Sequence, residues 1–114
     1  MTEPITVCGM GLLGGFGTGK EAALRALRSG GGPNGKVSSL PAGAGKMFPA
    51  YLADTALLEN YLDKRTLRRV NRYSKMALLG ACMALDDAGC GIPVDSDRFG
   101  VIVASGYGAL TTTF

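Results

Sequence analysis

Lys64, Arg65, Arg68, Arg69 and Arg72 place five of the chain's twelve basic residues within nine positions. Arg65, Arg68, Arg69 and Arg72 follow i, i+3, i+4, i+7 spacing, so a helix would carry them on one face. Such a row can be a solvated surface, a nucleic-acid helix, or a dock where guanidinium forks grip carboxylates or a phosphate. The nucleic-acid reading lacks interleaved aromatic residues and a helix-turn-helix glycine turn. A net charge of +3 adds little to it. On the residues alone, the solvated face and the dock for an acidic partner both stay open.

Two glycine-rich strings have the spelling of phosphate cradles. Gly9-Met10-Gly11-Leu12-Leu13-Gly14 reads G-x-G-x-x-G after an apolar run. A dinucleotide site needs a helix to open at that turn, whereas Gly15-Phe16-Gly17 follows here. No acidic residue stands about twenty positions on to hold a ribose. Gly14 to Lys20 reads G-x-x-x-x-G-K, yet Glu21 occupies the place of the magnesium-binding serine or threonine. A carboxylate there repels phosphate. It suits a capping box instead, Thr18-Gly19-Lys20-Glu21, opening a helix. No cofactor is expected.

Cys8, Cys82 and Cys90 form an odd count at no metal-ligand spacing. Cys8 lies in a β-branched run and Cys82 in an apolar helical stretch, where a thiol behaves as a small buried hydrophobe. No basic neighbour in sequence would lower either thiol pKa. The chain contains no histidine. No catalytic residue and no metal ligand is assigned.

The elements that would position these residues follow from the hydrophobic pattern. A length of 114 residues gives room for one domain and one core, and 46% hydrophobic against 18% charged residues excludes a disordered chain. Ile5 to Cys8, closed by Gly9, suits a strand buried on both faces, as in a parallel sheet. A glycine-rich loop, a helix that starts at Thr18 and continues through Ala22 to Arg28, and a stop at Ser29-Gly30 follow. The Gly/Pro/Ser-rich stretch from Gly30 to Gly45 reads as an exposed, mobile connection. Asp54 could cap a short helix through Leu62. Lys64 to Arg72 reads as a basic helical segment and Tyr73 to Ala88 as an apolar one, stopped by Gly89 and Gly91. Met76 to Leu85 is apolar all round and should be enclosed, with Gly80, Ala81 and Ala84 allowing close backbone approach. Phe99 to Ala104 reads as a second buried strand, turned by Ser105-Gly106-Tyr107-Gly108. Strand, helices and strand give a βαβ crossover and an α/β class. A basic leader and a bilayer-length apolar run are both missing from the pattern, so a soluble cytoplasmic protein is expected, with no membrane partner.

YLDKRTLRRVNRYSKMALLGACMALDDAGC, a short loop and RFGVIVASGYGAL together resemble the N-terminal quarter of a β-ketoacyl synthase. Ala104-Ser105-Gly106-Tyr107-Gly108-Ala109-Leu110 is similar to that family's G-S-G-x-G-G-L, with Ala104 and Ala109 where glycine is usual. ITVCGMGLLGGFGTGKEAALRALRSGG resembles the family's first strand, loop and helix, and the likeness is loose from Gly30 to Asn60.

The resemblance implies that residues 1–114 form the N-terminal part of a thiolase-like layered α/β fold. It implies an enzyme of fatty-acid or polyketide assembly that joins acyl units by decarboxylative Claisen condensation. The Cys-His-His active site of that family has no counterpart here, so activity would need the missing C-terminal portion or a complementary subunit. The intact family enzyme is a dimer. The resemblance assigns the acidic acyl carrier protein as partner and Arg65, Arg68 and Arg69 as its receptors, Arg68 foremost, with Lys64 and Arg72 as flanking charge. It places Tyr107 at the far end of the acyl pocket, which its ring would shorten; packed in a core, Tyr107 would simply have its hydroxyl hydrogen-bonded. The alternative is a non-catalytic module, derived from a ketosynthase, that binds carrier proteins or partner subunits.

Overall fold

The computed structural model describes residues 3–38, 47–91, 97–106 and 108. They fall into two compact units, residues 12–54 and residues 1–11 with 55–114. Length left room for a single core; the chain instead divides its contacts between two bodies.

In the unit of residues 12–54, β1 (Leu13–Gly14) pairs antiparallel with β2 (Gly17–Thr18) around a Gly15-Phe16 turn. The Gly19 N–H donates to the Leu12 carbonyl at 2.7 Å and closes the base of this hairpin. Helix α1 (Lys20–Ser29) starts immediately afterwards. Its N-cap is Gly19, with no side-chain cap, because the Thr18 hydroxyl donates to the Asp54 carbonyl at 3.5 Å. The expected Thr18 capping box is therefore not formed. Glu21 still lies in the first turn, where its charge complements the helix dipole. The helix ends as expected at Gly30, whose N–H reaches the Ala26 carbonyl at 2.8 Å.

β3 (Gly35–Ser38) pairs antiparallel with β4 (Met47–Ala50), Val37 opposite Phe48 and Lys36 opposite Pro49. Part of the stretch expected as a mobile connection is thus a strand. Asn34 explains why: its side-chain carbonyl accepts from the Leu52 N–H at 2.7 Å while its amide donates to the Leu52 carbonyl at 2.8 Å. One side chain extends the ladder beyond the last paired residues and fixes the register.

The other unit holds a 3-10 helix (Ala56–Asn60), α2 (Lys64–Leu67) and α3 (Arg72–Asp87). The N-cap position of the first of these is Thr55, one residue after Asp54, and the Thr55 side chain makes no capping bond. Leu58, Leu67, Leu79 and Cys82 form the core, Leu58 and Leu79 being 0% exposed. α3 ends in a Schellman motif, Cys90 N–H to Leu85 carbonyl at 2.9 Å and Gly89 N–H to Asp86 carbonyl at 3.0 Å. Gly89 supplies the left-handed conformation, φ 77, that this ending requires.

α3 is not enclosed as expected. It buries Leu79 and Cys82 but leaves Ala77, Leu78 and Ala81 exposed. Its small residues do admit a backbone: a Cβ on Gly9 would lie 2.6 Å from the Ala88 nitrogen, and one on Gly11 would lie 2.9 Å from the Met83 Cβ and collide with the Gly80 carbonyl. Gly9 and Gly11 of the G-x-G-x-x-G string serve this close packing, while Gly14, its third glycine, lies in the β1–β2 hairpin.

The two expected buried strands are the main correction. Residues 5–8 and 99–104 belong to no sheet among the described residues, and Ile5 and Ile102 are each 98% exposed. β-branched side chains favour extended backbone, but a strand apolar on both faces needs neighbours, and no described strand lies alongside. Both sheets present are antiparallel hairpins, so the βαβ crossover is not formed among the described residues. Helices with small antiparallel sheets make this a mixed α and β chain. No helix among the described residues is long and apolar enough to cross a membrane.

Candidate functional site

The basic residues are positioned by two consecutive N-caps. Asp63 precedes α2, and its carboxylate accepts from the Thr66 N–H at 2.7 Å. The Thr66 side chain first, and then this backbone hydrogen bond, hold the Asp63 carboxyl below its ordinary pKa. Leu67, buried, anchors the short helix to the core. The chain then turns, with Arg68 N–H on the Lys64 carbonyl and Val70 N–H on the Leu67 carbonyl, both at 3.1 Å. Asn71 opens α3 by accepting from the Ser74 N–H at 2.8 Å.

This break overturns the expectation of one basic helix with Arg65, Arg68, Arg69 and Arg72 along a single face. The turn parts Arg68 from Arg65 and Arg69, and Arg72, the first residue of α3, lines neither hollow. Lys64, Arg68 and Lys75 line one cleft of about 290 Å³ together with Thr55 and Glu59, floored by Leu58 and Leu67. Arg65 and Arg69, with Thr66, line a second hollow of about 290 Å³. Lys75 was not singled out from the sequence. Helix spacing gave no signal for it, because the chain breaks between α2 and α3.

The Arg65, Arg68 and Arg69 side chains make no ion pair or hydrogen bond among the described residues. Glu59 is the single acid on the first cleft, against three cations. Three like charges around a small hollow repel one another, and an incoming carboxylate or phosphate relieves that repulsion while accepting from the guanidinium fork of Arg68. Behind the cleft, the Tyr61 hydroxyl donates to the Asp86 carboxylate at 3.4 Å and ties the end of the 3-10 helix to α3. Burial, and then the Asp86 charge, push the Tyr61 pKa up, so its hydroxyl stays a donor.

The remaining candidates stand apart from this site. Tyr107 lies outside the described residues. The Ser105 hydroxyl oxygen accepts from the Gly108 N–H at 2.9 Å. Cys82 is buried, and burial pushes its thiol up. Cys8 is exposed rather than buried, because its segment pairs with no strand. Among the described residues, no cluster of cysteine and carboxylate side chains could hold a metal ion.

Compared with protein families, with curated proteins and with solved structures, the chain matches none.

Proposed function

We propose that this chain is the N-terminal part of a β-ketoacyl-[acyl carrier protein] synthase with a thiolase-like layered fold, and that its own contribution is to dock the acidic carrier. The observation that carries this reading is the cleft in which Lys64, Arg68 and Lys75 converge with one acid between them. An acidic helical protein offers the complementary charge, and electrostatic attraction raises its on-rate most at low salt. Arg65 and Arg69 widen the attractive surface. In the completed enzyme, a cytoplasmic dimer, a cysteine and two histidines supplied by the remaining portion or by a complementary subunit carry out the condensation. Residues 5–8 and 99–104 support this: they are largely apolar, belong to no sheet among the described residues, and are exposed, as segments awaiting sheet neighbours would be. Tyr107 then shortens the acyl pocket.

A second reading, a non-catalytic carrier-binding module, is favoured by the lack of any histidine in the chain. Native mass spectrometry of the chain with a purified acyl carrier protein at low salt tests what both readings share. A one-to-one complex is expected; free components alone would overturn the docking role. Condensation activity on adding a chain that carries a Thr-Ala-Cys turn and histidines selects the first reading.

A further inference from the structure

The unit of residues 12–54 carries a cleft that neither the basic turn nor the condensing reaction uses. It is open to solvent, with a volume of about 750 Å³, within the range of small-molecule sites. One wall is a single face of α1, where Ala22, Arg25, Ala26 and Ser29 recur at i, i+3, i+4 and i+7. The facing wall is the Gly15-Phe16 hairpin turn, and Tyr51 and Gly32 complete the lining.

The small side chains of Ala22 and Ala26 keep the space open. The hairpin is held close to Tyr51 because residue 15 is glycine: a Cβ there would lie 2.7 Å from the Tyr51 Cα. Phe16 and Tyr51 remain 39% and 63% exposed, so two aromatic side chains face the cleft with much of their surface still in water. Covering such rings is favourable in proportion to the apolar area removed from water.

Three polar groups define what else a ligand must carry. Arg25 is the only charged residue on the lining, and its guanidinium has no ion pair or hydrogen bond among the described residues. The Ser29 hydroxyl already donates to the Arg25 carbonyl at 2.7 Å, and that of Thr18 to the Asp54 carbonyl at 3.5 Å. Each hydroxyl therefore has only acceptor capacity left. We propose that this cleft binds a small planar, apolar anion, its ring against Phe16 and Tyr51, its carboxylate on Arg25, and an N–H or O–H group donating to Ser29 or Thr18.

Indole-3-acetate combines these three features and serves as the probe. Titrated into the isotopically labelled full chain, it should give saturable amide shifts at residues 14–18 and at Gly31 and Gly32. Arg25→Gln should weaken it about tenfold or more, the effect of losing one charge-assisted contact. Indole-3-acetamide, which lacks the charge, should bind the wild type as weakly as indole-3-acetate binds Arg25→Gln. Gly31→Leu is the second variant: an added Cβ would lie 3.8 Å from the Ala26 Cβ on the α1 wall, an ordinary van der Waals contact, and φ is not left-handed, so the side chain enters the cleft without strain. It should abolish the shifts while leaving the β3–β4 amide signals in place. Absence of saturable binding, equal affinity for the acetamide, or binding unaffected by both substitutions would each overturn the proposal.

Discussion

The two units solve different problems with comparable helices. α3 sets Leu79 and Cys82 against Leu58 and Leu67 and builds a small dry core; α1 buries none of its ten residues. No side chain in the described part of residues 12–54 is buried. That unit is ordered by hairpin ladders and by Asn34, and its free helix face becomes the wall of a cleft. The core unit in turn spends its order on holding charges: two caps and one buried leucine fix where Lys64, Arg68 and Lys75 meet. Helix caps together with a packed core position the cationic site, whereas hydrogen-bonded ladders without a core position the apolar one.

The same substitution made in each unit should separate them most. Leu79→Ala leaves a cavity at a fully buried position and should cost about 2–5 kcal/mol in chemical denaturation of the core unit. Leu27→Ala, at a position 83% exposed, should change stability by no more than about 0.5 kcal/mol. Similar losses at both positions would erase the contrast. Next in size, Asn34→Ala removes two hydrogen bonds to Leu52, each worth roughly 0.5–1.5 kcal/mol. Hydrogen exchange at the Leu52 amide should accelerate, and an unchanged rate would show that the ladder does not depend on Asn34. Asn71→Ala should then cost about 1 kcal/mol of α3 stability, readable as lower helical circular dichroism on heating.

The smallest effect concerns acid. The folded Asp63 pKa lies below its unfolded value, so the cap's contribution is complete above the unfolded range, about pH 4. It is lost as pH falls through the folded value. Asp63→Asn keeps a capping acceptor without a titrating group, so the acid-dependent part of α2 stability should disappear in that variant. A pH profile identical to wild type would contradict the assignment.

Local punctuation was legible in the sequence, and long-range pairing was not. Gly30 and Gly89 end their helices where the pattern placed them, and the small residues Gly80 and Ala84 do receive a neighbouring backbone. These features depend on a residue and its near neighbours. Residues 5–8 and 99–104 have strand composition, but a strand is completed by partners that composition does not name. Asn34 escaped notice because its role depends on Leu52, eighteen positions away. In the candidate site the charges were visible and their grouping was not. A run of helix-compatible residues from Lys64 onward hides the break at Arg68, which is set by the caps at Asp63 and Asn71 and by the burial of Leu67. That break is what brings Lys75 into the cleft and sends Arg65 and Arg69 to the other hollow.

The central claim is that the cleft around Arg68 receives an acidic carrier protein. The most direct measurement is the dissociation constant of a purified acyl carrier protein at low and at moderate salt, for the wild type, Arg68→Glu and Arg28→Glu. Arg28 is exposed on α1, does not line the cleft, and controls for net charge. The expected result is wild-type binding that weakens with salt, a loss of about tenfold or more in Arg68→Glu, and little change in Arg28→Glu. Equal affinities for the wild type and Arg68→Glu, or equal losses in the two variants, would contradict it.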